Sequence, residues 1–218
     1  MTNRLVDLSH PITDGMITYP GLPGPRIGVH LSREESRARY VESEFHIGHI
    51  AMVANTGTYV DTPFHRYADG ADLAATDLAR LVDLDGVVVP ATGQRAVGVA
   101  TLKPHEVAGR AVLIHTGWAR HWGTDAYAPG EHPYVTAEAV DWLVEQGVAL
   151  VGIDSVNIDD TATGARAAHT GLLAAGIPIV EHLTGLERLP ASGFRFHAPA
   201  LPVVGMGTSP LRAYAVIG

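Results

Sequence analysis

Asn55-Thr56-Gly57-Thr58-Tyr59-Val60-Asp61-Thr62-Pro63-Phe64-His65-Arg66 gathers amide, phenol, carboxylate and imidazole groups in one short run, directly after the apolar stretch that ends at Ala54. An extended chain from Ala54 to Asp61 alternates its side chains, so Asn55, Gly57, Tyr59 and Asp61 share one face while Thr56, Thr58 and Val60 take the other. Pro63 has no N–H for a sheet ladder and holds Thr62 extended. The strand therefore ends there, and Phe64, His65 and Arg66 enter a loop over the polar face. Taken alone, an Asp before a Pro is ordinarily a turn residue and a single His a satisfied polar group. Together they read as a site at a strand end.

Working outward toward the N-terminus, Phe45 to Ala54 reads as a mostly apolar strand, or two strands bending at Gly48. His46 and His49 fall on opposite faces of a regular strand and do not share an ion without a bulge. Leu5 to His10 and Met16 to Tyr19, around the turn at Asp14-Gly15, suggest a hairpin-like start. The loop Pro20-Gly21-Leu22-Pro23-Gly24-Pro25 is placed to cover a site, Arg26 to Leu31 is the next strand, and Ser32 to Arg39 is a solvated turn or short helix.

Toward the C-terminus, Gly86 to Val89 and Ala111 to His115 are compact strands. Thr136 to Gln146 is a helix: Thr136 caps it, Ala139, Val140, Leu143 and Val144 form its apolar stripe, and Gly147 stops it. Val148 to Asp154 is a buried strand whose final acid stands where site residues gather in sheets with helical crossovers. Thr163 to Ala175 reads as a second helix carrying His169. The following strand, Ile177 to Leu183, holds Glu181 among apolar neighbours, where an acid is costly unless it is paired, hydrogen-bonded or bound to a cation. Arg166 and Arg195 are candidate partners for it. Many short strands with two clear helices give an α/β fold around a mixed sheet.

The composition narrows the function. A chain of 218 residues with 46% hydrophobic and 17% charged residues suits one globular domain, and 24 glycines with 14 prolines suit many turns. A formal charge of −8 with only 15 Lys and Arg leaves no basic patch for phosphates, so a nucleic-acid partner is not expected and a small molecule is. With no cysteine, any metal is held by nitrogen and oxygen. The N-terminal residues lack the apolar core of a signal peptide and no run is long enough to span a bilayer, so the expectation is a cytoplasmic protein without membrane association.

Gly57, Thr58, Asp61, Pro63 and His65 resemble the signature His-x-Gly-Thr-His-x-Asp-x-Pro-x-His of the cyclase family that includes bacterial kynurenine formamidase and isatin hydrolase. Further landmarks follow in family order: Val6 to Ile12, Tyr19-Pro20-Gly21, His115 to Trp118, Gly152-Ile153-Asp154, His169 to Leu183, and Thr208 to Ala213. The resemblance covers nearly the whole chain. It implies a swivelling β/β/α-type single domain over residues 1–218 with a mixed, barrel-like sheet. It also implies dimers or tetramers, and metal-assisted opening of amide or cyclic imide-like bonds with zinc or manganese. Asp61 stands where the family carboxylate can bridge two metals, and His169 and Glu181 stand where the second-metal ligands do. His65 matches a histidine that does acid–base work or contacts the metal. Asn55 and Tyr59 replace two metal-binding histidines of the first position with an amide and with a phenol of pKa about 10.

The expectation is thus a hydrolase with one divalent ion, zinc or manganese, held by Asp61, His169 and Glu181 with His65. His65 and Tyr59 are the expected catalytic groups, Tyr59 donating to a developing oxyanion, and Asn55, Phe64 and Arg66 are the expected substrate contacts. Two other readings stay open. One is cyclisation, dehydration or tautomerisation of a small metabolite by a positioned acid and base; the other is a family member without turnover. The loops at Pro20 to Pro25 and Trp118 to Trp122 are expected to be covered by a second copy of the chain.

Overall fold

Four apolar runs make the centre of the sheet because both of their faces are covered. In the computed structural model, which describes residues 3–218, β5 (Leu84–Pro90), β7 (Ala111–His115), β9 (Leu150–Ile153) and β10 (Ile179–Glu181) lie side by side and parallel. Their alternation divides the core in two. Val87, Val89, Val112, Ile114, Val151 and Ile153 point to one cluster, whereas Val88, Leu113, Leu150 and Val180 point to another with Leu8, Phe194 and Phe196.

The first cluster is closed by the short α2 (Val99–Leu102), which contributes Leu102, and by α3 (Ala137–Glu145) and α4 (Ala167–Ala174), which contribute Val140, Leu143, Leu172 and Leu173. Thr136 caps α3 as its sequence predicts, its hydroxyl accepting the N–H of Ala139 at 3.3 Å. The second expected helix is shorter than the run Thr163 to Ala175. It begins only at Ala167, because Arg166 before it takes a left-handed backbone at φ 49°.

Antiparallel strands extend the sheet on both sides. β11 (Ser192–His197), β13 (Tyr214–Ile217) and β1 (Arg4–Asp7) follow β5 on one side, and β4 (Tyr59–Asp61) and β12 (Thr208–Pro210) follow β10 on the other. The nine strands form a strongly curled mixed sheet, a half-barrel consistent with the swivelling β/β/α type. The hairpin-like start does not form: β1 pairs with the C-terminal β13, and residues 16–19 are not a strand. A separate ribbon pairs β2 (Arg26–Leu31) with β3 (Ile47–Ala51), and between them Ser32 and Glu35 form a reciprocal cap on α1 (Arg33–Arg39). β6 (Ala96–Val97) and β8 (Tyr134–Val135) make a second small pair. Among the described residues no helix is long and apolar enough to cross a membrane.

The opening stretch is strand only over Tyr59–Asp61, not from Ala54. Gly57 adopts φ 67° and gives its N–H to the Thr18 hydroxyl at 2.8 Å, and the Thr56 hydroxyl donates to Val53 O at 2.7 Å. Thr58 donates to His182 O at 2.7 Å and accepts the N–H of His10 at 3.0 Å. Threonine hydroxyls thus satisfy the backbone that a longer ladder would have paired.

Candidate metal centre and its cavity

Register explains why the polar groups meet. β4 lies between β10 and β12, which sets Tyr59 opposite Glu181 and Asp61 opposite Thr208. Directly opposed residues share a face at contact distance, and the Tyr59 hydroxyl donates to Glu181 Oε2 at 2.6 Å. The Thr208 hydroxyl donates to Asp61 Oδ1 and lies 2.8 Å from His65 Nδ1. His65 sits on the single turn Pro63–His65. That turn is seated against Gly207, where a Cβ would run into the backbone of Phe64 and His65.

His169 comes from the other side, on the first turn of α4. Its Nδ1 is 2.6 Å from Asp159 Oδ2, and its Nε2 faces Asp61 Oδ2 at 3.7 Å. Asp159 also accepts the N–H groups of Ala168 at 2.6 Å and His169 at 3.3 Å, so one carboxylate both satisfies the start of α4 and aims the imidazole. Asp61, His65 and His169 each offer a ligand atom, all within 4.8 Å of one another. Asp61 is buried, and its Oδ2 has no hydrogen-bond partner. A buried carboxylate oxygen left bare in this way fits a cation, and the Asp/His/His donor set suits a divalent one.

Glu181 lies on the same cavity wall. Both of its oxygens are engaged, Oε2 by Tyr59 and Oε1 by the N–H of Ile158 at 2.6 Å, and it uses neither of the arginines considered for it. Arg195 instead pairs with Asp83 and Asp85, and Arg166 donates to backbone carbonyls. Burial raises the Glu181 pKa to about 7; the charge of Asp61 adds to this, while His169, Tyr59 and the Ile158 N–H oppose it. For His169 burial acts downward, but the hydrogen bond to Asp159 and the nearby charges of Asp61 and Glu181 outweigh it and hold the imidazole well above its usual range. Burial, with the neighbouring carboxylates, keeps Tyr59 a neutral phenol.

Above these groups opens a cavity of about 560 Å³, lined by Tyr19, Leu22, Asn55, Arg66, Asn157 and Arg166, with Tyr59, His65, His169 and Glu181 also facing it. Of the expected substrate contacts, Asn55 and Arg66 line this space, whereas Phe64 is partly buried and is not among the lining residues. Asp154 lies elsewhere: its carboxylate accepts the Thr116 N–H and hydroxyl and the Gly117 N–H, and it fixes the turn after β7. Behind Tyr59, His182 Nε2 lies 3.3 Å from the phenol oxygen and Nδ1 lies 2.9 Å from the Tyr127 hydroxyl. Sequence reading missed Asp159, His182 and Tyr127. An acid ten residues before His169 and a histidine next to Glu181 were the available signals, and neither specifies a partner.

A half-barrel that brings two histidines and an aspartate to one point, under a cavity for a small molecule, gives the chain a candidate metal site of the kind an enzyme of the cyclase type would use. Residues 6–160 match the cyclase family, and the chain belongs to it. It is 26% identical to kynurenine formamidase of Bacillus cereus, with 97% of each chain covered. It is 27% identical to the enzyme of that name from Geobacillus thermodenitrificans, over 98% of this chain and 97% of the other. Isatin hydrolase A from Ralstonia solanacearum shares its fold with a TM-score of 0.85 at 24% identity, covering 99% of this chain and 92% of that one.

Proposed function

We propose that the protein hydrolyses an amide or a cyclic amide- or ester-type bond of a small molecule, using one divalent ion, zinc or manganese, held by Asp61, His65 and His169. The observation that carries this reading is the bare, buried Asp61 Oδ2 facing His169 Nε2, with the other nitrogen of that imidazole fixed by Asp159. The relatives support the bond class, since formamidases and isatin hydrolases are named for opening such bonds.

When bound, such an ion would supply a Lewis acid that polarises a carbonyl and lowers the pKa of bound water to about 7. The remaining work belongs to side chains. Asp159 holds the tautomer and orientation of His169. His65, its side chain 34% exposed, closes the donor set from the solvent side; released from it, the same imidazole is placed to carry a proton between water and the departing fragment. Tyr59 stays protonated at the base of the cavity, and its one O–H, held by Glu181, would reach a developing oxyanion by leaving that bond. Asn55 and Arg66 face the substrate from the walls. Glu181, which accepts from Tyr59 and the Ile158 N–H, would add a further oxygen to the donor set through a lone pair those bonds leave free.

The test is turnover of a panel of small amides, lactams and imides by metal-replete and metal-depleted protein. Hydrolysis that appears only with zinc or manganese supports the reading. The buried Tyr59–Glu181 pair favours a second reading, isomerisation or cyclisation by acid and base alone, and turnover that persists in metal-depleted protein would select it. We place the protein in the cytoplasm as a homodimer or larger homo-oligomer.

A further inference from the structure

We infer that the cavity selects a small carboxylate anion, whose carboxylate is held at the mouth by Arg166 with Arg66 while its reacting bond reaches down toward Asp61 and His169. The hydrolase reading enters only in naming which bond reacts; the anion preference stands on the cavity itself. Arg66 and Arg166 both line this space, and among the described residues neither guanidinium lies within ion-pair distance of a carboxylate. Among the described residues other arginines, Arg26 and Arg80 for example, also lack such a partner, but Arg66 and Arg166 are the two arginines that line this cavity. In a chain of net charge −8, the two arginines share this cavity with one lining acid, Glu181, whose oxygens are already taken by Tyr59 and the Ile158 N–H.

Arg166 is also held in place. Its Nη1 donates to Thr163 O at 2.9 Å and Asp160 O at 3.4 Å, while Nε and Nη2 make no hydrogen bond among the described residues. A guanidinium anchored by one nitrogen presents the rest of its planar fork, the geometry that receives a carboxylate in two parallel hydrogen bonds. Its backbone, at φ 49° and ψ 52°, lies in the left-handed region that a residue with a Cβ enters at a cost, and it directly precedes the helix that carries His169. A glycine or asparagine would meet that turn more cheaply. Tyr19, Pro20 and Leu22 add an apolar part to the same lining. The occupant that fits is a carboxylate on a short apolar or aromatic body.

The test is equilibrium titration of benzoate and 3-phenylpropanoate against benzamide and 3-phenylpropanamide, by calorimetry or ligand-observed NMR, on metal-depleted and metal-loaded protein. In both states the acids should bind about tenfold or more tightly than their amides, the range of a charge-assisted hydrogen bond. The preference should fall to about parity in R66Q/R166Q, with circular dichroism showing the fold kept. R166K should restore charge without the fork and recover only part of it. Equal binding of acids and amides by the wild type, or an acid preference unchanged in R66Q/R166Q, would overturn the inference. Acid binding that needs the metal and ignores both arginines would overturn it too, while leaving the metal reading intact. Arginine-dependent acid binding by a protein that takes up no metal would instead remove the hydrolase reading and keep this one.

Discussion

His169 is poised by a group that is itself no candidate ligand. Asp159 fixes its Nδ1 at 2.6 Å, so Nε2 must face Asp61. Asp159→Asn should weaken metal binding roughly 10–100-fold, the usual cost of losing such a partner, and His169→Ala should weaken it more, both read by competition with a metallochromic chelator. Equal affinity in the Asp159 variant would mean that the ion sits elsewhere. Tyr59→Phe should leave the ion bound. It strips a buried hydrogen bond from Glu181, which costs roughly 1–3 kcal/mol of stability, and it slows turnover. Asp61 and His65 were legible in the sequence because a Pro-bounded strand end put them together, and His169 and Glu181 because the family spacing carried them. Asp159, His182 and Tyr127 were not. Their roles depend on which strand lies beside which, and no local pattern encodes that.

At the scale of elements, the site depends on two strand pairings and one turn. The register of β4 with β10 and β12 sets Tyr59 against Glu181 and Asp61 against Thr208, and Gly207 lets the His65 turn lie against the strand. Gly207→Ala should push that turn away, lowering stability by roughly 1–3 kcal/mol in chemical denaturation and weakening metal affinity together. Stability lost without any change in affinity would free His65 from the donor set. The helix from Thr136 could be read correctly because cap, stripe and stop agreed. The strand from Ala54 to Asp61 was read too long because alternation cannot reveal that Thr56 and Thr58 bond to their own surroundings and that Gly57 turns left-handed. The β2–β3 ribbon was legible as two strands, but its separation from the main sheet was not, since pairing is a tertiary choice.

Across the whole molecule, the tryptophan loop is not an open interface. Trp122 stacks on His10 at 3.9 Å and meets Tyr127 and His182 edge-on, so the aromatic surface expected at Trp118 to Trp122 is largely used within the chain. Exposed apolar area lies instead on the β2–β3 ribbon, where Val29 is 59% and Ile50 48% exposed, and a two-stranded ribbon is marginal without a covering surface. Light scattering at micromolar concentration should give a multiple of 23.0 kDa, and a monomeric mass would defeat the assembly expected here.

The same His10 gives the molecule a pH response. Burial lowers its pKa from 6.5 to about 4, so between these values the unfolded chain binds a proton that the folded one excludes. Its stabilisation is complete above pH 6.5 and is lost as pH falls toward 4, by less than about 1.4 kcal/mol per unit because part of the ring reaches solvent. His10→Gln should flatten the slope of unfolding free energy over that window, and an unchanged slope would rule His10 out as its source. Hydrolysis of N-formylkynurenine should be weak or absent, because Asn55 and Tyr59 stand where the family signature has histidines; efficient metal-dependent turnover would show that the two substitutions leave specificity untouched.

The central claim, that Asp61, His65 and His169 hold a single divalent ion, is tested most directly by metal content per chain. Protein saturated with zinc or manganese and then desalted, with the metal measured by mass spectrometry, should retain one equivalent in the wild type and close to none in His169→Ala. A wild type that retains no ion, or a His169→Ala variant that retains a full equivalent, would contradict it.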